Sequence, residues 1–550
     1  MDTSSGLSRS ARTRQWLERV DLTLRSQGLA RAAPLALQAV EDGIEHPFLL
    51  NLAASVRHGE GRFDDAVDLL NRARSLTPKD ANILNSLGIC LRALGQTYPA
   101  LEAYGAALKI DPGMAAAHYN RGALLESLND LTGARAAYER AAALKPDYVE
   151  PVASLAWLDA QAGDPVSARA KAEQVLSVSR SNILARMALA SAGLQERNLA
   201  AATGLLGALV HDPAIGEVNR SIVLGMIGDL LDAEGCPADA YAAYAASNAE
   251  MKALNAGLYE GPGKETAIEH ARRLTAWFEP SDSAPWRDSP PLRPRAADPR
   301  AHVFLVGFPR SGTTLLENVL AAHPDIVSLE EKDSLESVSG AYLGSNDGLQ
   351  RLAQLSSREA ARHRDAYWSF VRSFGVEPRG KVFIDKMPLA SVALPVVAKL
   401  FPNARILFAL RDPRDVVLSC FRRRFGMNPS MYQLLTLDGA AAYYDAVMRL
   451  SEMFRNLLPL PQQIVRYESL VEDFEGTARA ACEFVGVDWN ENVVNFAAKA
   501  RTRGISTPSA SQVARGLNRE GQGAWRRYRE QMEPVLPILE PWVERFGYEL

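Results

Sequence analysis

The chain has 550 residues, a formal net charge of -4 from 61 Lys and Arg against 65 Asp and Glu, and 47% hydrophobic against 23% charged residues. This composition excludes long disorder and collagen-like structure and suggests about three or four domains. The charge balance argues against a nucleic-acid coat or a polybasic membrane binder, although it leaves a local basic pocket open. The four cysteines, Cys90, Cys236, Cys420 and Cys482, form no CxxC pair, so neither a disulfide framework nor a zinc site is expected. The N-terminus has no apolar core of signal-peptide length, and no run of about 18 apolar residues occurs, so the expectation is a cytoplasmic protein without a membrane span.

The first half repeats itself. Residues 81–114 and 115–148 align over 34 positions, with Gly88 on Gly122, Ala100 on Ala134, Tyr104 on Tyr138 and Pro112 on Pro146. The register continues in 47–80 (Ala54, Ala66, Ala73, Pro78), in 149–182 (Ala156, Ala168, with Arg180 for the proline) and in 183–216 (Ala190, Ala202). After a slip of four residues, 221–254 restores Gly228, Ala240 and Tyr244, and a weak copy near Thr13 has Ala32 and Ala39. Small residues at this period mark close helix contacts, and each Pro stops a second helix. The pattern resembles a tetratricopeptide array of six or seven helix pairs over residues 13–254, expected to form a right-handed superhelix with a groove. Such a groove would take a peptide or protein partner, or the array would be a spacer or dimerisation arm. The period does not choose between these.

Residues 255–300 read as a helix and linker. Residues 261–278 carry Ala267, Ile268, Ala271, Leu274 and Phe278 at helical spacing, and 281–300 hold five prolines and little apolar pattern.

From residue 301 to 550 the pattern becomes α/β with a central parallel sheet expected. The apolar strand 302–307 runs into Phe308-Pro309-Arg310-Ser311-Gly312-Thr313-Thr314 and then a helix at 315–322. A strand, a glycine-bearing turn and a helix N-terminus make a phosphate site, because the first helical amides are unpaired and the helix dipole favours an anion. Gly307, Gly312 and Thr314 fit the GxxxxGK[ST] loop, but Thr313 stands where a nucleoside triphosphatase needs Lys. The charged donor is Arg310 instead, whose fork suits phosphate or sulfate without a metal. The strand 326–329 ends at Glu330-Glu331. Another ends at Lys386, and 404–410 ends at Arg411 before a helix bearing Ser419 and Arg422-Arg423-Arg424. Ligands bind at such carboxyl ends. Strand 463–465 precedes Tyr467.

Gly-Phe-Pro-Arg-Ser-Gly-Thr-Thr resembles the 5′-phosphosulfate loop of sulfotransferases that use 3′-phosphoadenosine 5′-phosphosulfate, in particular the tyrosylprotein sulfotransferases and their bacterial tetratricopeptide-fused relatives. The resemblance covers about residues 301–550. It implies that Arg310, Ser311, Gly312, Thr313 and Thr314 hold the 5′-phosphosulfate. Arg411 and Ser419 would hold the 3′-phosphate, with Arg423 a further phosphate contact one turn beyond Ser419 on the same helical face. It also implies that Tyr467 touches the nucleotide and that Lys386 reaches the bridging oxygen of the leaving phosphate. The stretch from His323 to Glu331 resembles the family segment whose second Glu is the general base, hence Glu331. Glu330 is expected to point to the opposite side of the strand end. Arg422–Arg424 also read as a solvated basic face. His323, before a proline at a helix end, reads as a cap or packing residue and is not assigned as a base.

Residues 505–507 and 519–526 resemble the final ligand loop, with Ser506 as a donor contact. The family has a Lys before its Trp, and this chain has Ala524, leaving Arg519, Arg526 or Arg527 to supply the charge. The donor is thus the expected co-substrate, and no residue cluster calls for a metal. The acceptor stays open: a tyrosine peptide, a small phenol, a glycan or a lipid headgroup. The family Glu-Glu-Thr-Arg is Glu330-Glu331-Lys332-Asp333 here, without the Arg that would meet an acidic peptide. Two other readings are a scaffold with a degenerate nucleotide-binding domain and a nucleotide kinase, the latter opposed by the missing loop lysine.

Overall fold

The computed structural model describes residues 9–280, 284–287, 298–498, 517, 519 and 521–549. Seven helix pairs come first, from Arg9–Gln27 with Leu29–Glu41 to Glu217–Ala233 with Pro237–Tyr259. The repeated Gly and Tyr explain each other. A Cβ on Gly88 would lie 2.5 Å from the Tyr104 ring, on Gly122 2.7 Å from Tyr138, and on Gly228 2.5 Å from Tyr244. Only a residue without a side chain lets the second helix seat its tyrosine against the first, and those rings are fully buried. By its contacts the chain forms two compact units, one of residues 1–158 with 168–185 and one of 159–167 with 186–550. The last two helix pairs thus lie wholly or largely in the second unit.

In that second unit five parallel strands form one sheet: β1 (Ala301–Gly307), β2 (Ile326–Glu330), β3 (Val382–Lys386), β4 (Arg405–Leu410) and β5 (Gln462–Arg466), in the order β2-β3-β1-β4-β5. Helices cover both faces, so the middle of each central strand is apolar on both sides. Val303 and Leu305 face one cluster with Ile384, Leu407 and Leu316, while Phe304 and Val306 face the other with Phe383 and Phe408. The chain runs from β1 to one side of the sheet and later to the other. The carboxyl end of β1 is therefore a switch point, where such sheets open a crevice.

The segment read as a linker is partly core. A capping box of Thr266 and Glu269 starts the helix Ala267–Phe278, and the Phe278 ring meets Phe454 at 5.0 Å. Within the proline-rich stretch Ala284–Arg287 is helical, and Trp286 is buried beside Phe278. No helix among the described residues is long and apolar enough to cross a membrane.

Candidate active site

The turn after β1 is shaped by three backbone constraints. Gly307 lies against β4, where a Cβ would come 2.6 Å from the Ala409 carbonyl. Arg310 has φ 69°, a left-handed conformation that costs a non-glycine residue energy and recurs at functional sites. Gly312 has φ 95°, where a side chain is strained, and a Cβ there would crowd the Tyr467 ring at 3.0 Å. The helix then starts at Thr313, and Ser311, Thr313 and Thr314 are buried at its first turn.

The residues expected to hold the nucleotide come together around this turn. Arg310 Nε donates to Ser419 Oγ at 3.0 Å, and Arg411 donates to the Arg310 carbonyl at 3.1 Å and to the Gly521 carbonyl. The Arg411 guanidinium lies 4.8 Å from the centre of the Tyr467 ring. Burial, with Arg423 and Arg411 nearby, pushes the Arg310 pKa down to about 9. Like charges crowded in this way favour an anion between them. Arg411 Nε is buried and has no hydrogen-bond partner among the described residues, a donor left for a ligand.

Arg423 enters this cluster by another route than expected. The helix Pro413–Arg422 stops one residue earlier, Arg423 is extended at φ -103°, and its guanidinium lies 4.0 Å from Asp229. The helical face that carries Ser419 therefore does not reach it. Arg422–Arg424 are not a solvated face either: Arg422 bonds Asp232 at 2.5 Å, and Arg424 lies 3.6 Å from Asp229. Ser506 falls outside the described residues. Of the arginines around Trp525, Arg527 is turned to Asp232 at 3.0 Å and Arg526 lies over the Trp525 ring.

The acid–base residues form a second cluster on the β2–β3 side. Lys386 Nζ, completely buried, lies 2.8 Å from Glu331, 3.4 Å from Glu330 and 3.6 Å from Glu317. Burial would lower its pKa, but the three carboxylates outweigh this and hold it above the ordinary lysine value. Glu330 and Glu331 do not point to opposite sides, because β2 ends at Glu330 and Glu331 takes φ 43°, which breaks the strand alternation. Both carboxylates therefore reach one ammonium. His323 accepts from the Asp325 amide on Nδ1 and bonds the Asp488 carbonyl through Nε2, so both ring nitrogens are spent on backbone.

Two residues of this site carry signals that the motif reading passed over. Glu317 is buried and accepts from Ser328 at 2.6 Å, and its signal is a lone charge inside the apolar run Leu315–Ala322. Asp415, one turn after Arg411, accepts from the amides of Gly523 at 2.7 Å and Trp525 at 2.9 Å, which anchors the final loop to the helix behind β4.

Residues 302–491 match the family model described as "Sulfotransferase family", and residues 91–149 match one described as "Tetratricopeptide repeat". Over 263 residues the chain is 26% identical to Protein-tyrosine sulfotransferase 1 of Danio rerio, covering 45% of this chain and 72% of that protein. Over 237 residues it is 29% identical to the protein-tyrosine sulfotransferase of Drosophila melanogaster, covering 40% and 46%. An uncharacterized protein of Aquifex aeolicus is 26% identical over 265 residues, 45% of this chain and 33% of its own length. The chain thus spans a third of the Aquifex protein and less than half of the fly protein. Residues 302–491 thus match the sulfotransferase family behind a tetratricopeptide array, in a chain similar to the protein-tyrosine sulfotransferases.

Proposed function

We propose that the protein transfers a sulfuryl group from 3′-phosphoadenosine 5′-phosphosulfate to an acceptor hydroxyl, with a protein tyrosine as the acceptor suggested by its relatives and the array recruiting acceptor or partner. The observation that carries this reading is the convergence of Arg310, Arg411 and Ser419. One guanidinium is bonded to the serine and the other to the carbonyl of the phosphate turn, at the switch point of the sheet. One arginine sits at a helix N-terminus and the other at the end of the neighbouring strand, as two separated anionic groups of one nucleotide require.

The loop amides and Arg310 would hold the 5′-phosphosulfate, and Arg411 and Ser419 the 3′-phosphate. The acceptor oxygen forms its bond to sulfur as the bond from sulfur to the bridging phosphate oxygen breaks. The acceptor proton passes to Glu331, and the electron pair stays on the bridging oxygen. Lys386 is the fixed cation for that charge. Its 2.8 Å bond to Glu331 ties the two roles together, because an ammonium drawn to the leaving oxygen releases the carboxylate to act as base.

Calorimetric titration with adenosine 3′,5′-bisphosphate tests the donor site, with magnesium-ATP as the control. Arg411→Ala and Ser419→Ala should each weaken the bisphosphate about 10-fold or more relative to adenosine 5′-phosphate, the worth of one charged hydrogen bond. Equal losses for both nucleotides would remove the 3′-phosphate assignment, and a preference for magnesium-ATP would favour a phosphotransferase. Tight bisphosphate binding without transfer to any hydroxyl in an acceptor library would favour the scaffold reading.

A further inference from the structure

We infer that Asp232, on the last helix pair of the repeat array, is a positioning residue for the 3′-phosphate end of the donor site. The inference rests on the donor assignment above. Asp232 lies on the helix Glu217–Ala233, 190 positions before its partner Arg422. Its Oδ2 accepts from Arg422 at 2.5 Å, and its Oδ1 accepts from the Tyr528 hydroxyl at 2.7 Å and meets Arg527 at 3.0 Å. The Arg422 guanidinium lies 5.2 Å from the Tyr244 ring and 5.1 Å from the Tyr528 ring, so array and final loop close on it together. Burial alone would raise the Asp232 pKa, but the surrounding cations and the tyrosine hydroxyl lower it. The carboxylate therefore stays ionised.

These partners are the two walls of the 3′ site. Arg422 closes the helix Pro413–Arg422, three residues beyond Ser419. Tyr528 ends the short turn Ala524–Tyr528, which follows the Gly521 carbonyl bonded by Arg411 and the Gly523 and Trp525 amides bonded by Asp415. Asp415 thus fastens the near end of that loop, and Asp232 fastens its far end and the Ser419 helix at once. Asn248 of the same helix pair adds a bond of 2.8 Å to the Phe421 carbonyl. Within the pair, Ser221 and Ser247 exchange hydroxyl-to-carbonyl bonds of 3.0 and 2.7 Å, so the platform that carries Asp232 is itself fixed. A carboxylate that served only to dock the array would have no reason to bond both the helix and the loop that flank one anion site.

The test uses the full chain and two nucleotides. Asp232→Asn keeps the shape but removes the carboxylate charge that Arg422 and Arg527 share. It should weaken adenosine 3′,5′-bisphosphate about 10-fold while changing adenosine 5′-phosphate less than about twofold, with the donor KM raised and kcat at saturating donor kept. Asp232→Glu should restore most of the loss, and Tyr528→Phe, which removes only the hydroxyl, should show the same selectivity at smaller size. Asp212→Asn breaks the Arg186–Asp212 pair elsewhere in the array and should leave both nucleotides unchanged. If Asp232→Asn lowers both affinities equally, or neither, the inference is overturned. If Asp232→Asn does not fold, Tyr528→Phe decides by the same criterion. Failure of the unsubstituted chain to bind the bisphosphate overturns the donor assignment itself, and that is seen before any substitution is made.

Discussion

Lys386 is buried and yet keeps its proton, because three carboxylates surround one ammonium. Glu331 is the member of that set placed to meet an acceptor: it is the closest to Lys386 and, at 26%, the most exposed of the three carboxylates. Glu331→Gln keeps shape and polarity but cannot take a proton, so transfer should fall about 10²–10⁴-fold with donor binding little changed. Glu330→Gln removes the more distant strand-end carboxylate and should cost about tenfold or less. A dead Glu330→Gln beside an active Glu331→Gln would reverse the assignment. At this scale the sequence exposed the residue types and missed their meeting. The two glutamates and the lysine each lie at or just past a strand end and could be read one by one. That they share a nitrogen depends on the left-handed turn at Glu331, which no alternation rule anticipates for a non-glycine residue.

Among the elements, β3 couples core to site. Its last two residues divide the work: Lys386 faces the carboxylates, while Asp385 accepts from Ser334 at 2.5 Å and from Tyr367 at 2.6 Å, and Tyr367 in turn bonds His302 of β1 at 2.8 Å. Burial pushes the Asp385 pKa up to about 6, helped by Asp333, while the two hydroxyl donors pull it down. The sign follows from linkage. An acid whose pKa is raised on folding contributes stability below its unfolded value of about 4, and that contribution is lost as pH rises through the folded value. Asp385→Asn removes the ionisation and keeps an acceptor for both hydroxyls. It should therefore melt above the parent at pH 8, by a stability gain on the order of 2 kcal/mol, with the gap shrinking toward pH 5. A gap that stays constant with pH would show that Asp385 does not ionise in this range. The strands themselves were legible, because short apolar runs lead into the glycine turn after β1 and into a charged residue at or just past the ends of β2, β3 and β4. The network beneath them was not, since Ser334, Tyr367 and His302 come from three separate segments.

For the whole molecule, motif and structure draw the boundary in different places. The family match begins at residue 302, whereas the compact unit around the sheet begins near 186. The difference is physical: the apolar faces of the sheet domain are completed by residues that precede it. Phe278 lies against Phe454, Arg273 donates to the Leu343 carbonyl at 2.7 Å, Trp286 is buried beside Lys399, and Asn248 and Asp232 hold the Ser419 helix. The repeat period was plain in the sequence because identical Gly–Tyr contacts recur locally. The docking of its last pair was hidden, because a bond between residues 190 positions apart leaves no periodic trace. A fragment of residues 301–550 should therefore lose the cover over Phe454 and the bond to Arg422 together. Baring one large aromatic in this way costs about 1.5–3 kcal/mol, and the unpaired guanidinium adds to it. That fragment should melt well below the full chain or accumulate as aggregate, whereas residues 186–550 should keep the sheet domain's melting temperature and its bisphosphate affinity. Matched scanning calorimetry and calorimetric titration of the three proteins would decide it. A 301–550 fragment that melts and binds like the full chain would make the last repeats and the connecting helix dispensable to the domain they pack against.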